Sequence, residues 1–511
     1  MNTACAFTGR KVLVLGLGES GLAMARWCAD AGALVTVADT RDAPPQLEAL
    51  RAQLPDATFI GGAFSASLVG AETAAVLRSP GLTPDQVAPV VSAARVGGVR
   101  VTGELGLFSE ALGQLKNAQG YGPAVLAVTG TNGKTTVTAL AGQLIARAGK
   151  TVAVAGNIGP TLLDTLARCI AGDALPEVWV LELSSFQLDG VTEFEPTAAA
   201  LLNITQDHLD WHGTMAAYAA AKARVFGATG LMILNREDAG VMAMLPAPVK
   251  HKGGKSRQRA YVTVGGDLPR HAGDYGIEVA RGMRWLVRAQ PADETRRKKL
   301  TEEDEPLNLQ RLMPADALRI RGRHNAVNAL SALALSAAAG CALGPMLHGL
   351  RDYRGEPHRV ELVASVREVD YFDDSKGTNV GATVAALQGL GEDRGERKVV
   401  VILGGDGKGQ DFSPLATPVA RHVRAAVLIG RDALRIRVVL ASTGVSLLDA
   451  GSMEQAVALA AQCALPGDTV LLSPACASFD MFRNYSHRAE VFRAAVQAHA
   501  VDAGVLLEGA S

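Results

Sequence analysis

The stretch Ala124-Val-Leu-Ala-Val-Thr-Gly-Thr-Asn-Gly-Lys-Thr-Thr136 decides the fold. Its first six residues are apolar or β-branched, bounded by Pro123 and Gly130, and predict a short buried strand. Gly130 and Gly133 then release the backbone, and Lys134 opens a helix expected to run to about Ala148. A strand, a glycine loop, Lys-Thr and a helix make a phosphate cradle. Backbone N–H groups of Gly130, Thr131, Asn132 and Gly133 would face the β- and γ-phosphates of a nucleoside triphosphate. Lys134 would neutralise charge, and the Thr135 hydroxyl would reach Mg²⁺. The full G-x-x-x-x-G-K-[ST] pattern asks for glycine at 128, where this chain has Val128, so the loop is a shortened variant. The competing reading is a structural glycine turn.

Apolar strands alternate with Ala/Leu-rich helical stretches on both sides of this segment. That alternation predicts an α/β fold with mostly parallel sheets and crossover helices. Three blocks are separable, at about 1–101, 102–355 and 356–511. The first has strands at Lys11–Leu15, Leu34–Ala38 and Ala74–Leu77. The second has Ala124–Thr129, Thr151–Ala155, Val178–Leu183, Ala198–Leu202 and Leu231–Leu234. The third has Val369–Phe372, Lys398–Leu403, Ala425–Ile429 and Thr469–Leu472. Gln114–Pro123 is polar and glycine-rich and reads as a loop. From about 250 to 313 charge runs appear, including Lys250-His-Lys252, Arg296-Arg-Lys-Lys299 and Glu302-Glu-Asp-Glu305, which read as solvated loops and a small β-excursion. No repeat of solenoid period is present.

The first block opens on Gly16-x-Gly18-x-x-Gly21 between a strand and a helix, with Asp39 about twenty residues on. Bare N–H groups at a helix start can take a pyrophosphate, and the acid can bind a ribose. A nicotinamide or flavin site, another nucleotide diphosphate and a tight turn without ligand all fit this pattern.

Composition bounds the function classes. The 511 residues are 48% hydrophobic and 20% charged, enough to bury a core in each block. Lys+Arg total 50 against 51 Asp+Glu, so a nucleic-acid coat or a polybasic membrane binder is not expected. Aromatics are 5% while glycines number 55, which suits an α/β enzyme rich in strand-to-helix turns better than a β-sandwich. The six cysteines, Cys5, Cys28, Cys169, Cys341, Cys463 and Cys476, are scattered without metal-finger spacing and read as reduced thiols. The apolar stretch Ala326–Leu347 is Ala-rich and interrupted by Gly340 and Pro345, a buried helix and its turn rather than a membrane span. No signal peptide is expected, and the cytoplasm is the expected compartment.

A magnesium-dependent phosphoryl reaction needs carboxylates near the cradle. Glu182 ends an apolar strand, where a lone acid is costly to bury unpaired, and is the leading metal-ligand candidate. His208 follows another strand in Asn203-Ile-Thr-Gln-Asp-His208. Lys222 lies on a helix expected over Met215–Phe226, where spacing alone reads it as a surface lysine. No Ser-His-Asp or Cys-His nucleophile is evident, and Cys476 reads as a packed thiol.

The segments Val128–Thr136, Glu182-Leu-Ser-Ser-Phe-Gln187, Asn203–His208 and Gly322-Arg-His-Asn325, in this order, resemble the Mur ligase family. The resemblance covers nearly the whole chain apart from about 250–313. It implies three domains: a Rossmann-like N-terminal domain, a central P-loop-type ATPase domain with a mostly parallel sheet, and a Rossmann-like C-terminal domain. It also implies an ATP-dependent amide ligase of peptidoglycan precursor synthesis. Asp373-Asp-Ser-Lys-Gly-Thr-Asn379, Gly404-Gly-Asp-Gly-Lys408 and Ser473-Pro-Ala-Cys-Ala-Ser-Phe-Asp480 are similar to the members that add D-glutamate to UDP-N-acetylmuramoyl-L-alanine. The Asp-Asn-Pro-Arg motif of the diaminopimelate- or lysine-adding members is missing from the sequence.

By that resemblance Gly18, Glu19, Ser20, Asp39, Thr40, Arg41, Ser79, Pro80 and Gly81 would line the uridine-diphosphate site, joined by Asn157 and His208. Lys134, Thr135 and Thr136 would hold ATP phosphates, Asn325 and Asn328 would reach adenine, and Arg359 and Asp374 would complete the ATP site. Thr135, Glu182, His208 and Lys222 would serve two Mg²⁺ ions, Lys222 as a CO₂-derived carbamate. Lys376, Thr378, Lys408, Ser478, Phe479 and Tyr485 would position the amino acid, Tyr485 standing where the family often has Phe. The expected partners are these small substrates, with no nucleic acid, no membrane span and a monomeric state. Two other function classes remain at this point. A nicotinamide-dependent dehydrogenase would use the first loop but leave the second unexplained. A P-loop switch with a protein partner rests only on the charge runs between Lys250 and Glu305.

Overall fold

A computed structural model describes residues 7–250, 256–292, 307–391 and 397–505. The charge runs at 296–299 and 302–305, His251-Lys252 and Cys5 lie outside the described residues.

The chain forms three sheets in succession. The first contains β1 (Lys11–Leu15), β2 (Leu34–Asp39), β3 (Thr58–Gly61), β4 (Thr73–Arg78) and β5 (Arg100–Thr102) in the order β3-β2-β1-β4-β5, all parallel. The strand order reverses direction beside β1, and in open α/β sheets that switch point is where ligands settle, beyond the carboxyl ends of the strands.

The central sheet contains β6 (Ala124–Thr129), β7 (Val152–Gly156), β8 (Val178–Glu182), β9 (Ala198–Leu201) and β10 (Leu231–Asn235). A two-stranded ribbon follows, β11 (Val249–Lys250) with β12 (Ser256–Arg257). The central sheet then continues with β13 (Tyr261–Val264), β14 (Tyr275–Ala280), β15 (Met283–Pro291) and β16 (Leu307–Pro314), in the order β16-β15-β14-β13-β10-β9-β6-β8-β7. Pairing is parallel from β7 to β14 and antiparallel for the last two partners. Apart from the β11–β12 ribbon, the described strands of the charge-rich excursion are therefore an extension of the central sheet. β8 is buried along its whole length, as expected for a parallel strand covered by helices on both faces.

The third sheet contains β17 (Glu361–Val366), β18 (Val369–Asp373), β19 (Val399–Gly404), β20 (Val423–Ile429), β21 (Ser446–Asp449) and β22 (Thr469–Leu472), ordered β17-β18-β22-β19-β20-β21. Only β17 is antiparallel to its neighbour.

Two local predictions are corrected. Gln114–Gln119 is not loop: the helix Glu104–Gln119 runs through it, with Leu107, Ala111 and Leu115 buried at four-residue spacing, and ends at Gly120 in the left-handed conformation. The polar residues there are that helix's solvent face. The helix expected over Met215–Phe226 ends at Ala223 and tightens into a 3₁₀ turn, Arg224–Phe226.

Helix starts differ in a way that bears on function. Thr83, Thr161, Ser184 and Ser452 cap their helices through a side-chain oxygen. The helices Glu19–Asp30 and Lys134–Arg147 start instead at Gly18 and Gly133, with no side-chain cap, and so leave their first N–H groups for an anion. The apolar cores are also divided unevenly. One buried cluster includes Val14, Leu22 and Met24 of the first sheet region together with Phe108, Trp179 and Leu181 of the central region. The two clusters around the third sheet draw only on residues 360–505.

Candidate functional site

At the first switch point each glycine of the first loop has a separate use. Gly16 has φ +85°, and a Cβ on Gly21 would lie 2.0 Å from the Gly16 carbonyl oxygen, so helix and loop approach too closely for any side chain. Gly18 faces open space. The Ser79 hydroxyl donates to the Gly16 carbonyl at 3.0 Å and ties β4 to the loop.

Asp39 is buried, and both its oxygens are taken. Oδ2 accepts from Leu17 N at 2.7 Å and Arg41 Nη2 at 2.8 Å; Oδ1 accepts from Arg41 N at 3.0 Å and Nε at 2.8 Å. Burial raises the carboxyl's pKa, but these hydrogen bonds and the Arg41 charge outweigh it and hold the group below its ordinary value. These bonds brace the loop and aim Arg41. Glu19 and Ser20 begin the uncapped helix, while Thr40 and Gly81 are exposed at the ends of β2 and β4. Pro80 lines a neighbouring cleft between the first and central sheets, together with Arg78, Glu104 and Asp189. Asn157 stands on the central sheet, its amide donating to Glu182 Oε1 at 3.1 Å.

The central loop is laced to the loop that follows β9. Thr131 N donates to Asn203 O, Asn132 N donates to Asn203 Oδ1 at 2.8 Å, and Asn203 Nδ2 returns a bond to Asn132 O at 3.1 Å. Gly133 has φ +85°, and a Cβ there would sit 2.8 Å from Asn328 Oδ1, so glycine lets the helix Arg323–Ala338 pack against the cradle.

Two ammonium groups converge on one oxygen. Lys134 Nζ donates to Gly130 O and Thr131 O, both at 2.8 Å, and Lys222 Nζ donates to the same Gly130 O at 2.8 Å. Lys222 is only 1% exposed and lies over the Tyr218 ring, 4.8 Å from its centre. The surface reading of Lys222 from spacing is thus overturned: the helix Met215–Ala223 buries Tyr218, Ala221 and Lys222 on one face. Burial and then the neighbouring Lys134 charge push the Lys222 ammonium well below its ordinary pKa.

Glu182 is 1% exposed, and its Oε2 has no hydrogen-bond partner. An orphaned buried carboxylate oxygen is expensive unless a cation or donor meets it, so the donor set fits a hard divalent cation. His208 has φ +54°, an uncommon backbone for a non-glycine residue and one that accompanies functional sites. Burial lowers the pKa of its ring, partly countered by Asp207. Phe186 packs edge-on against that ring at 4.7 Å.

The third sheet meets the cradle directly. The Arg359 guanidinium donates to the Thr135 hydroxyl. Asn132, Gly133, Thr136, Asn325, Asn328, Arg359, Asp374 and Lys376 line one cleft. In it, Asn328 Nδ2 donates to Asn325 Oδ1 at 3.1 Å. Lys376, Thr378, Lys408, Ser478 and Phe479 follow the carboxyl ends of β18, β19 and β22, which are adjacent in the sheet, and Tyr485 starts the next helix. The Lys376 ammonium lies 3.7 Å from the centre of the Tyr485 ring. Phe479 is 71% exposed, a large ring held out beside this group. Cys476 is fully buried with its thiol pushed up to about 12, inert as read from sequence.

Asp374 is buried and accepts from the Ser473 hydroxyl at 2.7 Å, yet burial dominates and raises its carboxyl from 3.8 to about 7. The folded chain holds a proton that the unfolded chain releases between those values. This group therefore destabilises the fold increasingly as pH rises through the interval, and its effect levels off above it. The melting temperature is expected to fall across that interval and Asp374→Asn to flatten the fall; an unchanged slope in the variant would exclude Asp374 as the source.

Comparison with known proteins follows this division. The Mur ligase MurD-like N-terminal domain matches residues 10–103, the Mur ligase middle domain 128–281, and the Mur ligase glutamate ligase domain 358–476. A curated relative from Albidiferax ferrireducens is 68% identical over 507 residues, covering 99% of both chains. The chain belongs to the Mur ligase family. That relative is named UDP-N-acetylmuramoylalanine–D-glutamate ligase, as is one from Ralstonia nicotianae, 59% identical over 97% of this chain and 98% of its own. Among solved structures, the MurF ligase of Thermotoga maritima in complex with ADP has a TM-score of 0.57 at 15% identity, covering 98% of each chain. The UDP-N-acetylmuramate-alanine ligase MurC of the same organism has 0.54 at 20% identity, covering 96% of this chain and 100% of its own. At those identities the likeness shows the fold.

Several residues of this Mur ligase that shape the site were not singled out from sequence. Arg488 is fully buried and holds Ser375 and the Cys476 carbonyl at 2.8–3.1 Å, pinning the loops after β18 and β22 together. Its helix, Tyr485–Asp502, carries no sequence signal separating it from an ordinary surface helix. His358 Nδ1 lies 2.7 Å from Asp373 Oδ2, and Arg493 pairs with Glu361 beside them. That web orients the turn carrying Arg359. Asn203 and Asp207 stood inside quoted motifs without a role. Among the described residues no disulfide joins two cysteines, and no helix is long and apolar enough to cross a membrane.

Proposed function

We propose that this Mur ligase joins D-glutamate to UDP-N-acetylmuramoyl-L-alanine at the expense of ATP, in the cytoplasm. The observation that carries the reading is the single cleft in which the phosphate loop meets Arg359, Asp374 and Lys376 of the third unit. The choice of D-glutamate rests on the names of the full-length relatives. The division into 1–101, 102–355 and 356–511 serves as the working domain assignment, with one substrate for each unit. All three sets of residues come from one chain, so a monomer suffices.

A carboxylate is a poor acyl donor because its leaving group would be oxide. Transfer of the ATP γ-phosphoryl group to the L-alanyl carboxylate makes an acyl phosphate and ADP. The D-glutamate amine then attacks the acyl carbon, loses a proton, and the tetrahedral species expels inorganic phosphate to leave the amide. The first step brings anion to anion. Lys134 and the uncapped N–H groups of Gly133 onward would face the phosphates, and Arg359 would add charge from the third unit. Asn325 and Asn328 would hold the adenine. Gly18, Glu19, Ser20, Thr40, Arg41, Ser79, Pro80 and Gly81 would hold the uridine diphosphate, with Asp39 aiming Arg41. Asn157 and His208 would meet the same substrate from the central unit. Lys376, Thr378, Lys408, Ser478, Phe479 and Tyr485 would orient the amino acid. Enclosure by three units keeps water from the acyl phosphate.

Thr135, Glu182 and His208 are the residues that would hold Mg²⁺, with carbamylated Lys222 as ligand of a second ion. Bound there, magnesium supplies charge neutralisation and alignment of the phosphates. Carbamylation requires a neutral amine: the ammonium first gives up one proton, and the Lys222 nitrogen then attacks CO₂ and releases a second, leaving an anionic carbamate. The low ammonium pKa and the shared Gly130 oxygen support that chemistry.

The test is a matrix of UDP-muramoyl acceptors against amino acids, including both glutamate enantiomers, read by product mass and phosphate release. Phosphate release in step with amide product, dependent on both UDP-N-acetylmuramoyl-L-alanine and D-glutamate, is expected. Amide formation with another amino acid and none with D-glutamate would overturn the substrate assignment.

A further inference from the structure

Asn379 spans the seam between the third unit and the cradle. It is 4% exposed, and its neighbours account for every polar atom of its amide. Oδ1 accepts the N–H of Ala382 at 2.9 Å, as a helix cap does, and also accepts Asn132 Nδ2 at 3.1 Å. Nδ2 donates to Asn132 Oδ1 at 3.0 Å and to Asp207 Oδ2 at 3.3 Å. The two asparagines therefore face each other amide to amide, 247 residues apart in sequence. Asn132 is held on its other side by Asn203, so the third unit, the phosphate loop and the loop bearing His208 share one polar chain.

Two further observations reinforce this seam. A Cβ at Gly381 would lie 2.9 Å from Thr205 Oγ1 and 3.3 Å from Asn132 Nδ2, so the start of the helix Val380–Gly391 is pressed against the cradle. Val380 N donates to Gln410 Oε1, and Gln410 Nε2 donates to Gly407 O, which links Asn379 to the turn carrying Lys408.

We propose that Asn379 is a positioning residue that couples docking of the third unit to the conformation of the phosphate loop, acting through Asn132 and Asp207. It touches no reacting atom. It sets where the backbone N–H groups of the loop point when the third unit is seated, and relays the seating to the loop of His208. The kinetic part of the test rests on the ligase reading above; the structural part does not.

Asn379→Asp separates the cap from the clasp. Aspartate caps a helix about as well as asparagine, so the bond to Ala382 survives. The donor to Asn132 and Asp207 is lost, and a carboxylate faces Asp207 instead. The expected result is an unchanged KM for the UDP-linked substrate and a kcat lowered about 100-fold at temperatures where the variant stays folded, the scale of loss from misplacing reacting groups by about 1 Å. Asn132→Ala and Asn379→Ala are expected to be non-additive, the double variant no slower than the slower single one. A wild-type kcat in Asn379→Asp, or full additivity in the double variant, would overturn the proposal. In parallel, fluorescent labels on the central and third units report their separation when a non-hydrolysable ATP analogue is added to the full chain. Wild type is expected to shorten that distance and Asn379→Asp to respond less; an identical response in the two proteins would also overturn it. If wild type closes but makes no glutamyl product, the substrate reading fails and the clasp stands.

Discussion

Turnover of the Lys134→Ala variant is expected to be about 1,000-fold below wild type, with UDP-substrate affinity and melting temperature nearly unchanged. The lysine sits at the start of the helix Lys134–Arg147 with its ammonium on the Gly130 and Thr131 carbonyls. Those two oxygens mark where its charge is parked, and both belong to the loop that would cradle the phosphates. Truncation leaves the helix intact, because alanine is the best helix former and the starting glycine is untouched. What disappears is the one flexible cation on that loop, so the triphosphate and the incoming carboxylate repel each other uncompensated. The measurement pairs steady-state phosphate release with calorimetric binding of the UDP-linked substrate. Wild-type turnover would remove the phosphate-loop assignment; lost UDP-substrate binding would show that the change had spread to the first unit.

Lys222→Ala is expected to lose about 100- to 1,000-fold in turnover, and millimolar acetate or propionate is expected to restore a measurable fraction. The buried amine lies against Tyr218 and the Gly130 carbonyl, so truncation opens a space with an aromatic wall and a polar end. A short carboxylate can occupy that space and place an anion where the carbamate would stand. Stability is expected to fall by about 2–4 kcal/mol, since the buried methylenes of the side chain are lost and a cavity is left, so turnover is compared well below the variant's melting temperature. Full activity without additive would show that Lys222 is dispensable. Bicarbonate dependence of the wild-type rate, absent in the variant, gives a second readout of the modification.

Much of the fold is legible because its signals are local. Ala124–Thr129 and the following Gly130–Thr136 announce a strand, a loop and a helix within thirteen consecutive residues, and that is what they form. Glu182 stands out because it is the lone acid at the end of an apolar run, a placement that needs a reason. Lys222 is not legible in this way: nothing in the pattern Met215–Ala223 says that its apolar face carries a lysine inward. Asn379 is less legible still, because its partner Asn132 belongs to another unit and only folding brings them together. Gln114–Gln119 was misread for the opposite reason. Its polar residues look like a loop when the buried Leu107, Ala111 and Leu115 beneath them are not counted as one stripe.

The uneven sharing of apolar cores has a mechanical consequence. The first and central units are joined by common buried hydrophobic side chains and by Arg26–Asp164 and Arg78–Asp189 ion pairs, so parting them would wet apolar area at about 25 cal/mol per Å². The third unit is held to the cradle by amides, a guanidinium and a hydroxyl, groups that water replaces at a net cost of only about 0.5–1.5 kcal/mol per bond. Compliance is thus concentrated at one joint. Of the two joints, the one between the cradle and the third unit is therefore the less costly to part, and strain on the molecule would be taken up there first.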